Sequence, residues 1–144
     1  RQYTRKEARP WLRSSAASAA QDPYVLRHYG QMWVDLEGAR LLVERAARLF
    51  DEAWREGESL RADARGEVAL AVATAKVAST RTGLDVTSRL FEVTGARATH
   101  GELGFDRYWR NVRTQTLHDP VDYKLHEPGD WALNQSLPIP TFYS

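Results

Sequence analysis

Acid–base chemistry has its first candidate seat at the adjacent pair His118 and Asp119. An imidazole changes protonation near neutral pH, and a carboxylate beside it can orient it or act in its place. The pair closes a helical pattern and precedes Pro120, so it stands where a helix opens into a loop, a junction of the kind that often carries function. On spacing alone a structural role is still the first reading of His118. The second candidate is Gly95-Ala96-Arg97-Ala98-Thr99. Small residues that bare backbone N–H groups, an Arg and a Thr hydroxyl are the ingredients of a phosphate site. The same residues read equally well as a helix–helix turn whose Arg meets a helix C-terminal dipole. The four histidines, His118 with His28, His100 and His126, lie far apart, so no metal cluster is expected, and His28 and His126 read as surface or interface residues. There is no phosphate-binding Gly-rich loop, no HExxH and no GxSxG. With no cysteine, disulfides and thiolate metal sites are excluded.

The 144 residues suit one domain, and 20 Lys plus Arg against 19 Asp plus Glu give no reason to expect a nucleic-acid partner. Charge is uneven, however. Arg1, Arg5, Lys6, Arg9 and Arg13 make a basic head that reads as a solvated linker before it reads as an anion site. Asp119, Asp122, Glu127 and Asp130 oppose Lys124 near the other end. No apolar run approaches the roughly 20 residues of a membrane span, and no secretory leader is visible, so a cytoplasmic protein without a membrane role is expected. The first residue is Arg1 and not Met, from which an upstream part of the gene product is expected.

Long helices must position these candidates. Residues 1–23, with Pro10 and three serines among alanines, read as a linker, and Asp22-Pro23 as a helix start. Val25, Tyr29, Met32, Leu36, Ala39, Val43, Ala46, Phe50 and Trp54 then form a heptad-like stripe, predicting a helix over 24–56 on the order of 50 Å long, stopped by Gly57. A second helix is expected over 61–93, Ala-rich in its first half, with its stripe on Val68, Val72, Ala75, Ser79, Thr82, Val86, Leu90 and Val93. A third is expected over 105–115. Four of the six prolines follow residue 118, so 119–144 reads as an irregular tail. Its Trp131, Leu133, Leu137, Ile139, Phe142 and Tyr143 make it too apolar to float free. The expected architecture is an all-α, up-down helical bundle over 24–118, with one face left for an additional helix.

The stretch LFEVTGARATHGELGFDRYWRNVRTQTLHDPVDYK at 90–124 resembles the C-terminal segment of flavin monooxygenases related to acyl-CoA dehydrogenases, and most nearly the dibenzothiophene and sulfone monooxygenases. The pieces ARPW at 8–11, DPYV at 22–25 and PIPTFYS at 138–144 fit in the same order, so the resemblance covers nearly the whole chain. It implies a C-terminal bundle lacking its first helix, which lines a flavin site partly across a subunit boundary and drives homotetramer formation. Acyl-CoA dehydrogenases carry a Gln and a GGxG turn that hold the adenine half of FAD. Here Glu92, Gly95, Ala96, Arg97 and Ala98 stand there, a departure that argues for FMN. Arg97, with the backbone around Ala98 and Thr99, is then the implied phosphate clamp, and Arg9 a second candidate, reaching a flavin across the subunit interface. The resemblance places Asp119 on the dehydrogenases' catalytic Glu and turns His118 towards the flavin. What it implies as a whole is an FMNH2-dependent oxygenase of organosulfur compounds, served by a separate flavin reductase. A divergent FAD-dependent dehydrogenase with Asp119 as base is one alternative. A helical oligomerisation module without activity of its own is another.

Overall fold

The computed structural model describes residues 1–140, so Phe142 and Tyr143 of the apolar C-terminal stretch lie outside the described residues. Five helices follow one another among them: α1 (Gln2–Lys6), α2 (Pro23–Glu56), α3 (Ala62–Thr94), α4 (Asp106–His118) and α5 (Val121–Asn134). Short 3-10 turns stand at Ala19–Gln21, Gly57–Ser59, Ala96–Thr99 and Gly101–Leu103, and no strand occurs among the described residues. The all-α expectation therefore holds. The chain divides into two compact units, one from Arg1–Leu36 with Thr82–Gln115, the other from Glu37–Arg81 with the residues from Thr116 onward. The three boundaries fall inside α2, α3 and α4, so each of these helices contributes to both units.

In the first unit the start of α2 is secured by its cap. The Asp22 Oδ1 accepts the backbone N–H of Tyr24 at 2.9 Å and of Val25 at 3.3 Å, while Ser14 Oγ donates to Oδ2 at 2.6 Å. These bonds satisfy donors that a helix start otherwise leaves orphaned. Residues 1–23 are more than the linker expected for them. Thr4 on α1 is buried and shares a 2.8 Å hydrogen bond with the Tyr29 hydroxyl of α2. Tyr3 meets Phe105 edge to face at 5.2 Å, and Ala19 is buried. Gly83 of α3 leaves room for Val112 of α4, whose Cγ1 would lie 3.2 Å from an added Cβ.

In the second unit the core is built from small residues. Ala46 of α2 clusters with Ala71 and Ala75 of α3, and Leu42 and Leu49 pack against them. The α2 stripe divides cleanly: Met32, Ala39 and Ala46, seven apart, are buried, while Leu36, Val43, Phe50 and Trp54 remain exposed. The α3 stripe needs correction. Val68, Ala75 and Val93 are buried as expected, but Val72 and Ser79 are exposed and Ala69, Leu70, Ala71, Ala73 and Val77 are buried instead. From Val68 to Ala75 only Val72 is exposed, and a segment buried on several sides has no single stripe to read.

The irregular tail expected from residue 119 is corrected too. Residues Val121–Asn134 form α5, with Pro128 inside it and Gln135 closing it at φ 57°. Pro128 removes one intrahelical hydrogen bond. Against that loss stand the Lys124–Glu127 ion pair at 3.2 Å and the Asn134–Asp130 hydrogen bond at 2.7 Å. Beyond α5 the chain does lie against the unit, as its apolar character required. A Cβ on Gly66 of α3 would come within 2.9 Å of Leu137 Cβ and 3.4 Å of the Pro138 carbonyl oxygen.

Candidate functional site

The two sequence candidates fall in different units. Gly95, Arg97, Ala98 and Thr99 belong to the first, with Arg9 and Glu92; His118 and Asp119 belong to the second.

Gly95 ends α3 at φ 80°, ψ 170°, a conformation costly for any residue with a Cβ. Nothing lies within 4 Å of its missing Cβ, so the glycine is needed for its backbone and not for space. The following turn is tightly made: the Ala98 amide donates to Gly95 O at 2.9 Å, and Ala98 is completely buried. Thr99 Oγ1 donates to Ala96 O at 2.7 Å. In this arrangement the Thr99 hydroxyl holds the turn, and its proton is not offered outward. Arg97 is exposed on the same turn, and Arg9 is exposed in the segment after α1. A guanidinium donates a planar fork of N–H groups that suits phosphate oxygens, so each of the two is chemically able to take part in a phosphate site.

Glu92, one turn earlier on α3, is held by His28 of α2, whose Nδ1 lies 2.9 Å from Glu92 Oε2. Arg27, Gln31 and Arg89 line the same small polar cavity, and Arg89 donates to Asp85 at 2.9 Å. The sequence reading placed Glu92 among the cofactor contacts but passed over His28. The signal was faint, because the two residues are 64 positions apart and only helix pairing brings them together.

His118 is the last residue of α4 and is exposed. Asp119 is half-buried and lines a cavity of about 610 Å3 in the second unit. Phe50, Trp54, Val68 and Val72 supply much of that wall, and Arg65, Lys76 and Lys124 add positive charge. Lys124 pairs with Glu127 in a largely buried bridge, and Glu127 Oε2 finds no hydrogen-bond partner among the described residues. None of these neighbours was named as a site residue from the sequence, because they come from three separate helices and share no motif.

Among the described residues no group of three or more His, Asp or Glu could hold a metal ion, and no helix is long and apolar enough to cross a membrane.

The family model for the acyl-CoA dehydrogenase C-terminal domain matches residues 2–123. A probable FMNH2-dependent monooxygenase of Pseudomonas putida, SfnC, is 68% identical over 144 residues, which is 100% of this chain and 36% of that protein. The structure of the methanesulfinate monooxygenase MsuC from Pseudomonas fluorescens superposes with a TM-score of 0.97 at 68% identity, covering 99% of this chain and 37% of that one. FMN-bound TdsC from Paenibacillus sp. A11-2 superposes with a TM-score of 0.93 at 42% identity, covering 99% of this chain and 36% of that one. The chain thus spans little more than a third of the length of the proteins it matches.

Proposed function

Because this chain belongs to the acyl-CoA dehydrogenase C-terminal domain family, we propose that it is the helical part of an FMNH2-dependent two-component monooxygenase acting on an organosulfur compound. The observation that carries this reading is the 68% identity along the entire chain to a probable FMNH2-dependent monooxygenase. The turn at Gly95–Thr99 agrees with it. The exposed Arg97 and Arg9 fit a phosphate, and Glu92 is occupied by His28. When bound, reduced FMN would supply the electrons with which O2 is activated. The residues of this chain would do the rest. Arg97 and Arg9 hold the phosphate, while the Gly95 conformation and the buried Ala98 aim the turn. His118 holds or delivers a proton at its imidazole, with Asp119 beside it. A separate flavin reductase is the expected partner, and a cytoplasmic homotetramer the expected form. Leu36, Val43, Phe50 and Trp54, exposed along α2, support association through the helices.

A second reading is favoured by one contrast. Asp119 is half-buried and lines a cavity whereas His118 is exposed, and the resemblance puts this carboxylate at the position of the dehydrogenases' base. One experiment separates the two. The full-length protein is mixed with a flavin reductase, NADH, FMN or FAD, and a panel of sulfides, sulfones and sulfinates. Oxygenated product with FMN supports the oxygenase. Flavin reduction by an acyl-CoA, with no oxygenation, selects the dehydrogenase.

A further inference from the structure

Glu92 stands in the last turn of α3, close in sequence to the guanidinium of Arg97. A carboxylate is a poor contact for FMN, whose phosphate is an anion, because like charges repel within the screening length. The structure gives Glu92 another occupation. His28 Nδ1 lies 2.9 Å from Glu92 Oε2, and a carboxylate only accepts, so the imidazole nitrogen donates. The cavity around the pair, about 340 Å3, is polar throughout, with Arg27 and Gln31 from α2 and Arg89 from α3. Gln31 donates to Asp35 at 3.0 Å and Arg89 to Asp85 at 2.9 Å, while Arg27 has no side-chain partner among the described residues. Of the groups in this wall, His28 is the one bonded to Glu92. The bond acts at a sensitive place. Gly95 closes α3 by donating to Phe91 O at 2.8 Å, next to Glu92, and Val93 and Thr94 are buried on one side of the same turn. His28 ties another side of it to α2. The direction in which Gly95 launches the following turn, and with it Arg97, depends on both ties. The Arg97 guanidinium itself has no partner among the described residues.

We propose that Glu92 does not touch the cofactor and that, with His28, it anchors the end of α3 to α2 so that Arg97 meets the FMN phosphate. His28 is then a positioning residue that acts through Glu92. The proposal rests on the FMN reading, because the anchor matters to binding only if Arg97 holds a phosphate.

The test is fluorescence titration of the full-length protein with FMN and with riboflavin, which has the same ring and no phosphate. The ratio of the two affinities reads the phosphate contact alone, whereas a general loss of structure would lower both. Arg97→Ala sets the full loss of that ratio, roughly tenfold. His28→Leu and Glu92→Met are each expected to lower it by about threefold, the scale of an exposed ion pair. The double variant is expected to lose no more than either single one, since both remove the same bond. His28→Asn, whose amide nitrogen is as many bonds from the backbone as Nδ1, is expected to restore the ratio. Arg27→Ala, which takes charge from the same wall and leaves the bond, is expected to change it little. Additive losses would overturn the anchor, and so would a Glu92→Met variant that weakens riboflavin as much as FMN, since Glu92 would then touch the ring. A ratio lost in Arg97→Ala and kept in His28→Leu would sink the anchor and leave the FMN reading standing. Wild-type protein with no preference for FMN over riboflavin would sink that reading, and the anchor with it.

Discussion

The turn after α3 and the junction after α4 are both places where a helix stops, and their surroundings differ. Gly95–Thr99 is rigid in its backbone, with a glycine at φ 80°, a buried Ala98 and a hydroxyl spent on Ala96, and it presents one exposed guanidinium. Such a turn suits holding a fixed charge. His118–Asp119 has no comparable web of backbone bonds, but its two titratable groups face different surroundings, one solvent and the other a half-apolar wall. In the proposed function the first of these helix ends holds a phosphate and the second handles a proton. A helix end is therefore no function in itself; the neighbours decide whether it binds or reacts.

Substitutions can break this contrast. His118→Ala in the full-length protein is expected to lower oxygenation by a factor on the order of 100 or more with FMN affinity nearly unchanged. Turnover assays run beside flavin titration would show both. Wild-type turnover in that variant would remove His118 from the reaction. Arg97→Ala should do the opposite, weakening FMN by roughly tenfold while turnover at saturating flavin changes little. If both variants lowered kcat alone, the division between holding and reacting would fail.

Smaller effects test the frame around the two sites. Gly66→Val puts a side chain where Leu137 already lies, since even a Cβ would come within 2.9 Å of it. A stability loss of about 1–3 kcal/mol is expected for such overpacking, read from denaturant unfolding, and Gly30→Val, with nothing within 4 Å, serves as the helix control for the steric part. The smallest effect concerns the α2 cap. The Ser14 hydroxyl, helped by the Val25 and Tyr24 amides and opposed by burial, holds the Asp22 carboxyl below its ordinary range. A lowered folded-state value means that Asp22 stabilises the fold above the unfolded carboxylate value, roughly 3.9, and that this stability is lost as pH falls through the folded value. Ser14→Ala should therefore move the acid-unfolding midpoint to higher pH. An unchanged midpoint would mean that the amides alone hold the carboxylate.

Much of this molecule was legible in its residues, and the limits have physical causes. Asp22-Pro23 marked the start of α2, and Gly57 and Gly95 its end and that of α3, because capping and positive φ are local properties. The helix over 121–134 was not legible. Pro120, Pro128 and Pro138 read as breakers, yet Pro120 only precedes the helix and Pro128 is tolerated inside it. The basic head read as a linker because α1 is only five residues long and is secured by contacts such as Thr4 with Tyr29, not by its own propensity.

Periodicity, caps and glycines thus determined by themselves that the chain would be helical, where its two long helices would run, and which two helix ends could hold function. Those signals act over a few residues, within reach of one turn. Only the tertiary structure decided that Glu92 would be taken by His28, that Thr99 would spend its proton on Ala96, and that Asp119 would share a wall with Trp54 and Lys76. Two of these three depend on helices pairing across tens of residues, and no local preference encodes which side chains then meet.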